Sequence, residues 1–400
     1  AVSEGGTMGE AVRYALGVTA APSWAASRFE FRMSRLGAPG LPTLEAAIRL
    51  KAVYVVEDQV EDETPVGSYT FRTEKDEPTP APTGDGLGDR LAKSDGSVRV
   101  AQWNASSGSF TRNSEGFARV LAAIAPDVIL LDELPGGITR EALRNFFALE
   151  SLGRLGTWQF VLGEAGGRQR TVVAALDREI RPAESMRSIR YPDGALERLR
   201  GLNAAKFDPS SDMGTERALF DRLLDLEAER HLSATGAWVE VDDEEVLFVP
   251  LDLQSAGWTG SPRDQLRALQ ARTIHDHIVR ENGPNGRPVV IGGDFNLVGS
   301  RAPLLTLAQG LDVDGSELTP IDAPRLGERT YVTWRNAEGL FAPGRLDFLL
   351  VPDAAATVTN SFVFGTEDLD PATLQRLSLE RELSASLSDH LVVTVDLAFR

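Results

Sequence analysis

"VVIGGDFN", Val289–Asn296, sets three β-branched residues ahead of two glycines and then places a carboxylate and an amide on either side of Phe295. An apolar run this short, bounded by Pro288 and by polar residues, reads as a buried strand. Such a strand has no packing use for Asp294 or Asn296 at its C-terminal end. Those two residues are therefore candidates for chemistry.

The pattern recurs outward in both directions. "VRVAQWN" (Val98–Asn104) ends on Asn104, "DVILLDE" (Asp127–Glu133) ends on Glu133, and "EEVLFVPLDL" (Glu244–Leu253) carries Asp252 at its end. "RLDFLLVP" (Arg345–Pro352) holds Asp347, and "LVVTVDL" (Leu391–Leu397) is entered through Ser388, Asp389 and His390. One such residue would be a turn or a cap, since Ser and Asp bond their own backbone. Several on successive strands point to a shared rim, because strand ends form the ligand-binding edge of layered α/β proteins.

Helical patterns separate these strands. "SEGFARVLAAIA" (Ser114–Ala125) puts Phe117, Val120, Leu121 and Ile124 on one face, with Ser114 as its expected cap, and "SPRDQLRALQARTIHDHIVREN" (Ser261–Asn282) reads as a capped amphipathic helix. Alternating strands and helices predict an α/β layered domain over residues 98–400. Ala195–Leu232 is charge-rich and helical in pattern, and is expected to be an excursion on the surface. Thr73–Ser97 is dominated by Pro, Gly, Asp and Thr and is expected to be a linker over 73–97. Residues 1–72 alternate polar and apolar in "RFEFRMSRL", "AAIRLKAVYVVED" and "GSYTFRT", as a small β-rich segment or partial β-sandwich would.

Bulk composition narrows the chemistry. The 400 residues contain no cysteine, which excludes disulfides, thiolate nucleophiles and cysteine-type zinc sites. A formal charge of −18 disfavours holding nucleic acid by phosphate neutralisation, though a local basic groove is compatible with it. No apolar run is long enough to span a bilayer. The acidic, cysteine-free chain begins at Ala1 and suits a secreted or periplasmic setting, with a cytoplasmic one also compatible. Carboxylates and amides without cysteine suit Mg²⁺ or Mn²⁺, with Ca²⁺ as a third candidate, in one or two ions. No phosphate-binding GxxxxGK[ST] loop is present.

"VAQWN", "LLDE", "VVIGGDFN", "GRLDFLL" and "SDH" occur in the order and approximate spacing of the endonuclease/exonuclease/phosphatase superfamily, which the chain resembles from about Val98 to Arg400. The resemblance implies the DNase-I-like fold, an α/β four-layer sandwich of two packed mixed sheets flanked by helices. It implies a divalent-metal-dependent phosphoesterase, hydrolysing a phosphodiester or related phosphoester by in-line attack of water. Residue by residue, Glu133 resembles the main metal ligand, with Asn104 beside it or on the phosphate. Asp294 and Asn296 look like the residues that orient water and hold the phosphoryl oxygens, Asp294 also near the metal, and Asp389 looks like a further ligand. His390 resembles the catalytic histidine, paired with Asp347. The resemblance leaves the base open between His390 and Asp294.

Asp252 departs from the pattern, since many members carry histidine there. A carboxylate in that place is expected to hold a second divalent ion or to favour substrates of lower charge, such as diesters or triesters. Arg170 at a strand start is expected to reach a phosphate, and Trp334 of "TYVTWR" to face substrate or core. His231, His275 and His277 are read as structural or surface residues. Two further readings stand beside the phosphoesterase: a metal-dependent nuclease with a local basic groove, and a binding protein that keeps the fold without turnover.

Overall fold

The computed structural model of the protein describes residues 90–164, 169–204, 213–283, 286–327, 330–335 and 343–400, together with the backbone of short strands between Val2 and Thr70. Those early strands pair two by two: Val2–Glu4 with Thr7–Gly9, Val18–Ala20 with Phe31–Met33, Ala47–Leu50 with Gly67–Thr70, and Val53–Val56 with Gln59–Glu63. Each pair is a two-stranded sheet of its own.

Twelve strands build the layered domain: β1 (Val98–Asn104), β2 (Val128–Pro135), β3 (Trp158–Leu162), β4 (Gln169–Leu176), β5 (Ile180–Pro182), β6 (Ala237–Val241), β7 (Glu244–Asp252), β8 (Val289–Asp294), β9 (Thr319–Pro320), β10 (Asp347–Val351), β11 (Ala356–Phe364) and β12 (Val392–Phe399). They form two six-stranded sheets, in the orders β3-β4-β2-β1-β12-β11 and β5-β6-β7-β8-β10-β9. Each sheet is mixed, with one parallel pair at its centre, β1 with β2 and β7 with β8, and antiparallel neighbours outward.

Alternation along the strands creates the layers. Val98, Val100, Val128, Leu130, Phe248 and Val290 point between the sheets into a shared core. Their neighbours Ala101, Trp103, Ile129 and Leu131 face helix α1 (Ser114–Ile124) and adjoining short helices. On the far side Leu247, Val249, Leu251, Val289 and Ile291 lie in one core with Ala271, Ile274 and Ile278, which belong to a long helix. The result is helix, sheet, sheet, helix, the four-layer DNase-I-like architecture. Strands buried on both faces explain why these segments read as continuous apolar runs.

Helices α2 (Ala195–Ala204) and α3 (Met213–Glu229) precede that long helix, α4 (Pro262–Asn282). The expected surface excursion is only half right. Leu196, Leu199, Phe220, Leu224 and Leu266 share a core of their own, so α2 and α3 pack on α4 rather than merely decorating the surface. Ser261 caps α4 as expected, its hydroxyl accepting from the Asp264 amide at 3.2 Å. Helix α1 is capped by Asn113, one residue before the expected Ser114, because the Asn113 side chain accepts from Gly116 at 3.0 Å.

The end of the expected linker already belongs to this unit. Arg90 donates to the Leu326 carbonyl at 3.1 Å, Leu91 packs against the core under α1, and residues 73–89 lie outside the described residues. Arg99, 1% exposed, ties this entry to the sheet: it forks onto Asp396 at 2.6 and 2.7 Å and donates to the carbonyls of Leu91 and Ile124. Removing one partner strands a buried charge, at a cost of about 3–5 kcal/mol. Arg99→Ala is expected to show that loss in urea unfolding, and a paired Arg99→Met, Asp396→Leu change to recover most of it; a single-variant loss below about 1 kcal/mol would contradict this placing. Among the described residues, no helix is long and apolar enough to cross a membrane.

Candidate active site

Topology gathers the polar strand ends at one edge. β10 runs antiparallel to β8, so Asp347 at its start stands opposite Asp294 at the end of β8, and Asp252 at the end of β7 is level with both. In the other sheet Asn104 and Asp132 are level partners of β1 and β2, and His390 enters β12 beside β1. The rim expected from the sequence is therefore a single place.

The two glycines of "GGDFN" make this possible. A side chain on Gly292 would press on Leu349 of its own sheet and on Leu130 and Gln102 of the facing sheet, at 2.7, 2.9 and 3.3 Å. At Gly293, φ is +154° and a Cβ would lie 1.8 Å from the Leu251 carbonyl oxygen. Two other residues at the rim, Glu133 and Asn296, hold left-handed backbone at φ 52° and 50°. Asn tolerates this conformation; for Glu133 it costs roughly 1–2 kcal/mol, and the residue lies within the irregularity of the β2–β4 pairing between Leu131 and Leu134.

His390 stands at the centre of the polar contacts. Its Nδ1 meets Asp347 Oδ2 at 2.8 Å, and its Nε2 faces Asp294 Oδ2 at 3.7 Å. Asp347 is itself fixed: Thr333 Oγ1 accepts from the amides of Leu346 and Asp347, each at 3.0 Å, and Gln102 Nε2 donates to Asp347 Oδ1 at 3.3 Å. Trp103 Nε1 donates to the His390 carbonyl at 3.0 Å, and Ser388 receives the His390 amide while donating to the Asn104 carbonyl. Asn104 is fully buried; its Oδ1 accepts from the Ser106 amide and its Nδ2 approaches Asp294 Oδ2 at 3.4 Å. The Asn296 amide donates to Asp294 Oδ1 at 2.8 Å, and its side chain donates to the Leu253 carbonyl at 2.9 Å and approaches Asp252 Oδ1 at 3.4 Å.

Electrostatics follow from this crowding. Burial opposes charge on His390, but the carboxylates of Asp347 and Asp294 and the hydrogen bond the ring donates to Asp347 outweigh it and hold the imidazolium well above the ordinary histidine range. Burial pushes the Asp294 carboxyl well up; the His390 charge pulls it down, and Asp347 and Asp132 push it further up. Asp132, 0% exposed, is raised well above the ordinary range by burial and then by the charges of Asp252 and Asp347.

Asp132 and Gln102 are the residues that sequence reading passed over. Gln102 Nε2 donates to Asp132 Oδ1 at 2.9 Å as well as to Asp347, while Asp132 Oδ2 and Gln102 Oε1 are buried without a hydrogen-bond partner among the described residues. Strand alternation was the available signal: Val128, Leu130 and Asp132 share the face between the sheets.

A cavity of about 400 Å³ opens on this rim. Glu133, Asp252, Asp294 and Asn296 line one part of it; α3 and Arg230, His231 and Arg263 line another. Arg170 is not in that lining. Its Nε donates to the Gly163 carbonyl at 2.7 Å and its Nη1 to the Ile138 carbonyl at 2.9 Å, so the expected phosphate contact is corrected to a tie between two loops. Trp334 is half-buried and outside that lining too, its Nε1 donating to Asp389 Oδ2 at 3.0 Å. That contact holds Asp389, which is exposed and outside the cavity lining, on the outer side of the His390 turn. His275 and His277 bond the carbonyls of Gln309 and Ser185, the structural role expected of them.

The sequence model of the Endonuclease/Exonuclease/phosphatase family matches residues 101–390, well over half of the chain. The chain belongs to this family. Similar solved structures include a humanized D. rerio TDP2, at 17% identity and TM-score 0.42 over 76% of this chain and 99% of that one. The human Nocturnin catalytic domain with bound sulfate is similar at 15% identity and TM-score 0.43, over 77% and 97%. An endonuclease/exonuclease/phosphatase from Bacteroides vulgatus is similar at 14% identity and TM-score 0.44, over 76% and 99%. No curated protein sequence matches the chain.

The donor set of this family member suits a hard divalent cation. The candidate ligands are carboxylate and amide oxygens, and Asp132 and Asp294 are pushed toward protonation by burial first and by neighbouring carboxylates next, with His390 opposing in part. Among the described residues no three His, Asp or Glu side chains close on a common point. Glu133 and Asp294 both line the cavity.

Proposed function

We propose that the protein is a divalent-metal-dependent hydrolase of phosphodiesters, with water attacking phosphorus at the rim formed by Asp294, Asn296, Asn104 and His390. The observation that carries this reading is the Asp347–His390–Asp294 line, with contacts of 2.8 and 3.7 Å at the two ring nitrogens. Asp347 orients the ring so that Nε2 is turned toward Asp294, where an imidazolium stabilises charge growing on phosphoryl oxygens or returns a proton to the leaving oxygen. Asp294, held at Oδ1 by the Asn296 amide, keeps Oδ2 in only long contacts with Asn104 and His390, and that oxygen would take the proton of the attacking water. The Asn104 and Asn296 side-chain amides stand beside it as donors for phosphoryl oxygens. A divalent cation bound at Glu133 and Asp294 would polarise the phosphoryl group and neutralise the carboxylates around it.

Asp252 sets the ester class in this reading. Its carboxylate lies level with Asp294 and repels a monoester dianion more than a diester monoanion. Bis(p-nitrophenyl) phosphate is therefore expected to be hydrolysed in preference to p-nitrophenyl phosphate with Mg²⁺ or Mn²⁺. Asp252→His is expected to shift the ratio toward the monoester by roughly tenfold, as removal of one nearby charge would. An unchanged ratio would remove Asp252 from the account, and a wild-type preference for the monoester would overturn the ester class.

A further inference from the structure

The cavity has a second half that the proposed chemistry does not use. Leu223, Leu226, Glu227 and Arg230 recur at the spacing of one helical face, and all four line the cavity, continuing α3 up to the acidic rim. The chain after α3 returns directly along β7: the Leu232 amide donates to Ile189, the Asp252 amide donates to the Ser233 carbonyl at 2.8 Å, and Ala234 bridges Leu251. Arg230 is thereby held next to the strand end that carries Asp252. From the other side, the loop after β7 leads into α4, whose first turn bears Arg263. Arg267 pins this loop through the carbonyls of Gln254 and Ala256, at 3.0 and 3.1 Å.

Neither Arg230 nor Arg263 has a carboxylate or hydrogen-bond partner for its guanidinium among the described residues, although both line a cavity rich in carboxylates. Unpaired arginines also occur elsewhere on the surface, so it is the place of Arg230 and Arg263 in the cavity wall, beside Leu223 and Leu226, that sets these two apart. Glu227, the acidic residue of the helix face, accepts from Tyr191 and Gln270. Two uncommitted guanidiniums beside two leucines suit an anion carried on a partly apolar body.

We infer that Arg230 and Arg263, with Leu223 and Leu226, form a second anion subsite, and that the preferred substrate is a small phosphodiester bearing a further phosphate a nucleoside-length away from the scissile one. This rests on the phosphodiesterase reading of the same cavity. The volume of about 400 Å³ matches a mononucleotide-sized ligand rather than a duplex.

The test compares thymidine 5′-(p-nitrophenyl phosphate) with the same ester carrying a 3′-phosphate, at low salt with Mg²⁺ or Mn²⁺. The wild type is expected to favour the 3′-phosphorylated ester in kcat/KM by about tenfold, mostly through KM. In Arg230→Ala, Arg263→Ala that preference is expected to fall to near one, and Arg230→Lys, Arg263→Lys to keep part of it. Hydrolysis of both esters with equal efficiency by the wild type, or a preference that survives the double alanine change, would overturn the subsite alone. Hydrolysis of neither ester would overturn the phosphodiesterase reading and the subsite with it.

Discussion

Replacing His390 by alanine is expected to lower kcat for bis(p-nitrophenyl) phosphate by roughly 10³-fold, within the range general acid–base groups supply. The His390 ring is buried, fixed at Nδ1 by Asp347 and presented at Nε2 to Asp294, so no neighbouring group can take its place. Asp347→Ala is expected to lose nearly as much, because the ring would then lack its orienting partner and the support that Gln102 gives through the Asp347 carboxylate. Residues acting as one unit are not additive, so the double variant is expected to be little worse than either single one. Multiplied losses in the double variant would show that His390 and Asp347 act separately. Taking the imidazolium away also leaves two buried carboxylates facing each other, so His390→Gln, which keeps an amide there, is the companion variant for folding.

The second large effect is on stability, and its sign follows from the same cluster. His390, Asp294 and Asp132 each bind a proton more tightly in the folded chain than in the unfolded one. Each contributes stability that is fully present below its unfolded value, about 6.5 for His and about 4 for Asp, and that is lost as pH rises through the raised folded value. His231, lowered by burial and by Arg190, works weakly in the opposite sense. Protein treated with EDTA is therefore expected to melt roughly 5 °C lower at pH 8 than at pH 5. Mg²⁺ or Mn²⁺ at pH 8 is expected to restore that loss by binding the folded state, and to do much less at pH 5, where protons compete for the same oxygens. Asp294→Asn should flatten both responses. A melting temperature that rises from pH 5 to pH 8 in EDTA, or that ignores the cation at pH 8, would contradict the charge arrangement described for the rim.

What could be read in the sequence was what strand periodicity carries. A strand buried on both faces shows as an apolar run, and a candidate residue shows as the polar side chain at its end; Asn104, Asp252, Asp294, Asp347 and His390 stand out in this way, and the topology brings them to one edge. Asp132 was missed because Glu133 follows it, and only the face shared with Val128 and Leu130 sets it between the sheets. The surroundings of Arg170 and Trp334 are not legible in the local pattern. Whether a donor at a rim meets a ligand or a carbonyl depends on which loop folds over it, and Gly163, Ile138 and Asp389 decide that through contacts outside the local pattern. The same holds for α3: its charge-rich pattern marks a helix, but its packing on α4 and its place in the cavity wall arise from long-range contacts.

The measurement that bears most directly on the account is turnover of bis(p-nitrophenyl) phosphate by protein stripped with EDTA, before and after Mg²⁺ or Mn²⁺ is returned, with Asp294→Asn alongside. No turnover is expected in the stripped protein, recovery on adding either cation, and none in Asp294→Asn under any condition. Hydrolysis that persists in EDTA, or that survives the loss of the Asp294 carboxylate, would contradict it.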